Sequence, residues 1–268
     1  LIGTILLIIT LYIIFLNKLN NIYIYFAFLI EAVSIFIIIN FIFFKKINYK
    51  FILRKNIKVI YKIFSDSLPV LISTMCIILY MRIDQIMINK ILGQYELGLY
   101  SVSVRLIEIF HFIPKILMIS YLPILLKYKK YSLKLIELNS YISKLSFILI
   151  FLILLFSDFC TKHLFGNDYI ESIYTTNVLS FSLIFVYLGV VNEHWYITKK
   201  LQKYYAFYVF LGAILNIILN MYLIPIYGII GAAYATIITY IFLIFVFDLV
   251  ATKTRNILVI KLKSIIKL

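Results

Sequence analysis

Apolar residues in this chain run on for helical lengths, without the alternation of a half-buried strand or the one-sided stripe of a soluble helix. The runs occupy residues 1–16, 22–44, 63–92, 99–126, 145–165, 172–198, 204–224 and 229–250. A helix needs about 20 apolar residues to cross the hydrocarbon layer, and only helices and closed barrels satisfy their own backbone there. Barrel strands read as segments of about ten residues with alternating polarity, a pattern this chain does not show. The pattern predicts an all-α membrane protein with eight transmembrane helices. The first run is apolar from Leu1, with neither a Met nor a basic leader, and reads as a cut span. The chain is therefore expected to be a C-terminal fragment.

Composition supports the same class. Of 268 residues 64% are hydrophobic and 14% charged, with a mean hydropathy of +1.06. A soluble domain is about half apolar and about a quarter charged, and disordered chains combine high charge with low hydrophobicity; both are excluded. The net charge of +15 is not spread evenly. Loops 45–62, 127–144, 199–203 and 251–268 hold seven, five, three and five Lys or Arg, whereas the four intervening loops hold only Lys18. By the positive-inside rule the basic loops, and both ends of the fragment, are cytoplasmic. No nucleic-acid partner is needed to explain the charge. The chain divides into two spans (1–44), a basic linker (45–62), a block of six spans (63–250) and a basic tail (251–268). The linker reads either as an amphipathic helix on anionic lipid or as a solvated connection.

Tyr23, Tyr25, Tyr100, Tyr169, Tyr174, Trp195, Tyr196, Tyr204, Tyr205 and Tyr227 cluster near span ends, as in an aromatic belt at headgroup depth. Cys76 and Cys160 have no metal-type spacing, and His111, His163 and His194 lie on separate spans. There is no GxxxxGKS or GxxxxGKT phosphate loop, no HExxH and no GxSxG. The expectation is a non-enzyme with no cofactor and no metal.

Charged residues within spans usually face a bundle interior, a partner or a water-filled cavity. They are Arg82, Asp84, Lys90, Arg105, Glu108, Lys115 and Glu193, with Glu31, Asp66, Asp158, Lys162 and Asp248 nearer ends or standing alone. At about 100° per residue Ser101, Arg105, Glu108, His111 and Lys115 share about a third of one helix circumference. Depths match across the hairpin, so Asp84 with Arg105, or Arg82 with Glu108, are candidate cross-pairs. Two readings stay open: ion pairs that fix helix packing, or an aqueous cavity in which Arg82, Arg105 and Lys115 attract an anion while Asp84 or Glu108 holds a proton or ion. Pro114 should disturb the helix beside Lys115. Glu193, with Lys199 six residues on, reads as a packing or snorkelling residue. Asn216 and Asn220, spaced i, i+4, are expected to hydrogen-bond between helices, and Gly231, Ala232 and Ala235 to admit a close backbone.

The run Leu68-Pro69, Tyr80-Met81-Arg82-Ile83-Asp84-Gln85-Ile86-Met87, Gly98 through Glu108, Phe112-Ile113-Pro114 and Pro123 resembles the central signature of polysaccharide repeat-unit flippases. These are the Wzx-type O-antigen and capsule transporters of the multidrug, oligosaccharidyl-lipid and polysaccharide exporter superfamily, which are MATE-like. A second stretch, Asn216, Asn220, Ile224-Pro225 and Tyr227 through Thr236, resembles their C-terminal half. The resemblance implies a twelve-span transporter of two six-helix bundles, with residues 1–44 closing the first bundle, 63–250 forming the second, and four spans upstream. It also implies an undecaprenyl-pyrophosphate-linked oligosaccharide as substrate, flipped across the bacterial inner membrane by alternating access. Arg82, Arg105 and Lys115 then match the pyrophosphate and sugar cavity, and Asp84 and Glu108 the ion-coupling or pairing positions. Membrane lipids and other polysaccharide assembly proteins are the further partners. The rival readings are a drug/cation antiporter or peptidoglycan-precursor flippase of the same fold, or a membrane polysaccharide polymerase or scaffold.

Overall fold

The computed structural model describes residues 2–16, 22–46, 57–127, 131–250 and 254–266. All regular structure among them is helical, and the chain is an all-α membrane protein. It divides into two units, Leu1–Ile57 and Lys58–Leu268. In the first, α1 (Ile2–Leu16) packs on α2 (Ile22–Lys46), with Ala27 buried. Residues 47–56 of the expected basic linker lie outside the described residues.

The second unit contains α3 (Ile57–Ile91), α4 (Gln94–Glu108), α5 (Phe112–Lys127), α6 (Tyr131–Leu164), α7 (Ser172–Ser180), α8 (Ser182–Thr198) and α9 (Gln202–Ile241). A π-helical segment, Phe242–Phe247, runs into the short α10 (Asp248–Val250), and α11 (Arg255–Ile266) follows. Five stretches among the described residues are long and apolar enough to cross a membrane: Tyr23–Ile42, Ile57–Ile91, Ser132–Leu164, Ser172–Thr198 and Gln202–Phe247. Three differences separate this set from the eight expected spans.

The first is that the 46-residue stretch Gln202–Phe247 is not one rod. A straight helix of that length would measure about 69 Å, over twice the hydrocarbon thickness of about 30 Å. Gly228 interrupts it with φ 61° and ψ −143°, a left-handed conformation that only glycine enters at little cost. Pro225, just before, cannot supply a helical N–H. The chain folds back so tightly that a side-chain carbon on Gly231 would run into the carbonyl of Leu223. Eight residues of straight helix would separate these two by about 12 Å. The stretch is thus a hairpin that covers the expected segments 204–224 and 229–250, with Ala232 and Ala235 fully buried at its close contact.

The second difference is that the expected span 99–126 is broken into α4 and α5. Pro114 lacks an N–H and would clash with the carbonyl of residue 110 in a continuous helix. The backbone instead makes tighter turns, with Phe110 N–H to Ile107 O at 3.0 Å and His111 N–H to Glu108 O at 3.0 Å. Pro114 then falls in the first turn of α5, where a missing N–H is harmless. The third is that the expected 1–16 span is a 15-residue helix, short of a full crossing.

Helices of the second unit meet through small polar residues as well as aliphatic ones. Ser103 donates to the carbonyl of Ser172 at 3.0 Å, and Thr176 donates to Ser103 at 3.1 Å, joining α4 to α7. Such bonds hold helices together where no hydrophobic difference drives association. Several expected belt aromatics are core residues: Tyr100, Trp195, Tyr196 and Tyr205 are buried, whereas Tyr23, Tyr25, Tyr174 and Tyr227 are exposed.

Candidate site: a charged seam leading into two adjoining cavities

α3 meets α4 through its polar residues. The Asp84 carboxylate is buried, accepts the Tyr100 hydroxyl and accepts the Gln85 backbone N–H at 2.8 Å. Arg82 pairs with Glu108 at 3.4 Å, with the two side chains 53% and 25% exposed. Of the two expected cross-pairs only this one forms. Arg105 lies about 140° round α4 from Tyr100, and Glu108 only about 80°. The face that meets α3 therefore carries Tyr100 and Glu108 and turns Arg105 away. Arg105 is exposed.

Two cavities open beside this seam. One is lined by Asp84, Tyr100, Glu108, Ser182 and Thr236; the other by Lys115, Glu193, Tyr205 and Tyr208. Met81, His111 and Tyr240 belong to both walls, so the cavities adjoin. The helix break sets their geometry: it delivers His111 between α4 and α5 and turns Lys115 onto the second wall. The carbonyl of Phe110, which Pro114 denies an i+4 donor, accepts the Ile113 N–H at 3.4 Å and the Tyr187 hydroxyl at 3.0 Å. His111 Nε2 is buried without a hydrogen-bond partner among the described residues. The first cavity offers carboxylate and hydroxyl oxygens, suited to a proton or small cation. The second sets an ammonium among tyrosines and a carboxylate, a setting in which an anion can be held, since a multiply charged anion is not buried without cationic partners.

Of the expected site residues, Asp84, Glu108 and Lys115 line the cavities, Arg82 is tied to Glu108, and Arg105 stands outside both walls. Glu193, expected to pack or snorkel, is on the wall of the second cavity. Asn216 and Asn220 are fully buried, as packing residues should be, but their bond runs within one helix: Asn220 Nδ2 donates to Asn216 Oδ1 at 3.0 Å. The i, i+4 spacing that places them on one face also brings their amides within reach of each other. Among the less secure charges, Asp158 and Lys162 form an i, i+4 pair at 2.8 Å, and the Asp66 side chain lies outside the described residues.

Asp248 does not stand alone. Tyr196 donates to its Oδ1 at 2.7 Å, and Lys261 Nζ donates to its Oδ2 at 2.5 Å and to the carbonyl of Ile244 at 2.8 Å. Both charges are buried, at 1% and 0% exposed. Lys261 belongs to the expected basic tail. There α11 docks with Ile257, Leu258 and Ile260 buried, and Asn139 of α6 donates to its Ser264 at 2.7 Å. Burial pushes the Lys261 ammonium down to about 8, against the opposing pull of Asp248. The apolar positions of 257–260, interleaved with the tail's charges, were the available signal for this docking.

Residues 4–174 match the family described as polysaccharide biosynthesis protein. The chain is also 32% identical over 196 residues to an uncharacterized membrane protein of Methanocaldococcus jannaschii, an alignment covering 70% of this chain and 45% of that protein. The chain therefore spans about half the length of this curated relative. No solved structure matches it. A multi-pass helical membrane protein whose match extends over more than half its length, through the charged seam of α3 and α4, belongs to the polysaccharide biosynthesis protein family.

Proposed function

We propose that the chain is part of a flippase that moves undecaprenyl-pyrophosphate-linked oligosaccharide repeat units across the bacterial inner membrane, for assembly of a surface polysaccharide such as O-antigen or capsule. The observation that carries the reading is the convergence of Lys115, His111 and Glu193 with Asp84 and Glu108 on adjoining cavities between helices, within a membrane protein of a polysaccharide-biosynthesis family. Charges are costly in lipid and are retained where they face a cavity or a partner. Lys115 meets the pyrophosphate, Arg82 joins it on leaving Glu108, and Arg105 contacts the headgroup as it enters. Asp84 and Glu108 carry the coupling proton or cation. The whole protein is a MATE-like, two-bundle transporter that works by alternating access around this site, with its basic loops cytoplasmic. Its partners are the lipid-linked oligosaccharide, membrane lipids and other polysaccharide assembly proteins.

The test is complementation of a flippase-null strain with the full-length gene. Lys115→Ala, Arg105→Ala and Asp84→Asn are expected to abolish surface polysaccharide while lipid-linked repeat units accumulate inside. Normal surface polysaccharide in all three variants, at normal protein level, overturns the site assignment.

A further inference from the structure

We infer that α11 is a releasable clasp on the basic-loop end of the second unit, with the buried Lys261–Asp248 pair as its catch. Three observations converge on this. First, the pair is a poor choice for mere docking. A buried ion pair replaced by apolar residues of similar volume commonly leaves a protein equally or more stable, whereas removing one partner alone strongly destabilises it. Ile257, Leu258 and Ile260 already anchor α11 by burial, so a fully buried ammonium and carboxylate add a contact that can be broken, not one that docking requires. A switch or register role is the best attested use of such pairs.

Second, the catch joins four elements. Lys261 of α11 holds Asp248 of α10 and the carbonyl of Ile244 in the π-helical segment, and Tyr196 of α8 holds the other oxygen of Asp248. The remaining groups about the pair are Thr254 and, behind Tyr196, Tyr205 and Tyr208. Third, the same π-helical segment forms part of the second cavity: Leu243 and Ile244 line it together with Lys115 and Glu193. π-Helical turns inside α-helices are frequent at functional sites. The catch therefore grips the back of a wall whose front faces Lys115, the cation proposed to meet the substrate pyrophosphate. Movement of that wall strains the catch, and release of the catch frees the wall.

The catch can be tested without any ligand. In the full-length protein with Cys76, Cys160 and any further native cysteine changed to Ser, Ser264→Cys reports docking, because Ser264 is fully buried when α11 is seated. Maleimide should label the thiol at position 264 slowly in this background. Adding Lys261→Met, which leaves the Asp248 carboxylate unpaired, should speed labelling at least about tenfold. The pair Lys261→Met with Asp248→Leu should return it to the slow rate, since apolar contact seats α11 again. Equal labelling in the background and in Lys261→Met overturns the catch whatever the substrate is. The second arm rests on the proposed flippase activity: the double variant, with α11 seated and protein level normal, should lose surface polysaccharide. Normal export from it would show the pair to be structural and overturn the release step. Failure of the flippase reading is distinguishable, because it appears as failure of the wild-type gene to restore surface polysaccharide to the flippase-null strain while the labelling arm is unaffected.

Discussion

Arg82 and Asp84 lie two residues apart on α3, yet different magnitudes govern them. Asp84 is buried and depends on the Tyr100 hydroxyl and one backbone N–H; leaving a buried acceptor short of a partner costs about 1–3 kcal/mol. The Arg82–Glu108 pair is half open, and where water reaches such a pair it contributes about 0–1 kcal/mol. Tyr100→Phe is therefore expected to lower the stability of the purified protein by about 1–3 kcal/mol, and Arg82→Gln by less than about 1 kcal/mol, measured by thermal unfolding in detergent. An equal loss from both would show that α3 does not rely on Asp84. Lys115 forms no ion pair among the described residues, so export lost in Lys115→Gln at unchanged stability reports chemistry. Lys261 adds a pH dependence with a definite sign. Its ammonium is held down to about 8 from 10.5, so undocked α11 keeps a proton that docked α11 releases. Linkage then makes docking weakest below pH 8 and stronger from pH 8 towards 10.5, because the neutral amine can still donate to Asp248 and to the Ile244 carbonyl without the cost of burying an ammonium. The charged and titratable groups about it are Asp248, Tyr196 and Tyr208. Amide exchange in α11, corrected for its intrinsic rise with pH, should slow over that window; faster corrected exchange would contradict the sign.

At the scale of elements, α9 shows what the apolar pattern foretells and what it omits. Two spans separated by Pro225 and Gly228 are legible, because a proline and a glycine between apolar runs mark a turn. The tightness of that turn is not, since it depends on Gly231 meeting the Leu223 carbonyl. Gly231→Ala sets a carbon against backbone that cannot yield and should sharply reduce the yield of folded protein. Gly189→Ala, with nothing within 4 Å of the new carbon, should be neutral. Comparable yields of the two variants would mean the hairpin is looser than described. The α4–α5 break was half legible: Pro114 marks a disturbance, but beside the long 3.4 Å bond from the Ile113 N–H the Phe110 carbonyl takes its shorter bond from Tyr187, 77 residues on. Tyr187→Phe removes that donor and should cost about 1 kcal/mol. The charged seam was legible because Arg82, Asp84 and Glu108 are conspicuous in lipid. The choice of partners was not, because it turns on the rotation of α4. The Lys261–Asp248 pair is not legible, because the number of Lys and Arg in a loop does not separate a buried basic residue from an exposed one.

For the second unit as a whole, chain direction is the claim on which the others rest. Residues from the expected cytoplasmic loops, and from the span ends beside them, converge at one end, where Asn139 meets Ser264 and Tyr196 meets Asp248. Residues from the opposite loops converge elsewhere, with Tyr169 beside Gly98. Removing Lys261 from the count of loop charges leaves 19 of 26 on the basic side, so orientation by the positive-inside rule survives its burial. Single cysteines at exposed positions can test this with a membrane-impermeant maleimide on intact cells, in a background lacking Cys76, Cys160 and any further native cysteine. Tyr95→Cys, Asn167→Cys and Tyr227→Cys should label from outside; Leu133→Cys and Lys200→Cys should label only after permeabilisation. Tyr227→Cys is the decisive member. If the helix from Gln202 ran on through Gly228 as a straight rod, residue 227 would lie about 40 Å from its start and residue 247 a further 30 Å beyond, putting the end of the π-helical segment far outside the bilayer on the outer side. Asp248 could then not reach Tyr196, near the opposite end. External labelling at 227 together with internal labelling at 200 requires one crossing between them. The buried Tyr196–Asp248 contact then requires the chain to return. Labelling of 227 and 200 from the same side would overturn the hairpin, and with it the placement of the second cavity and the clasp behind it.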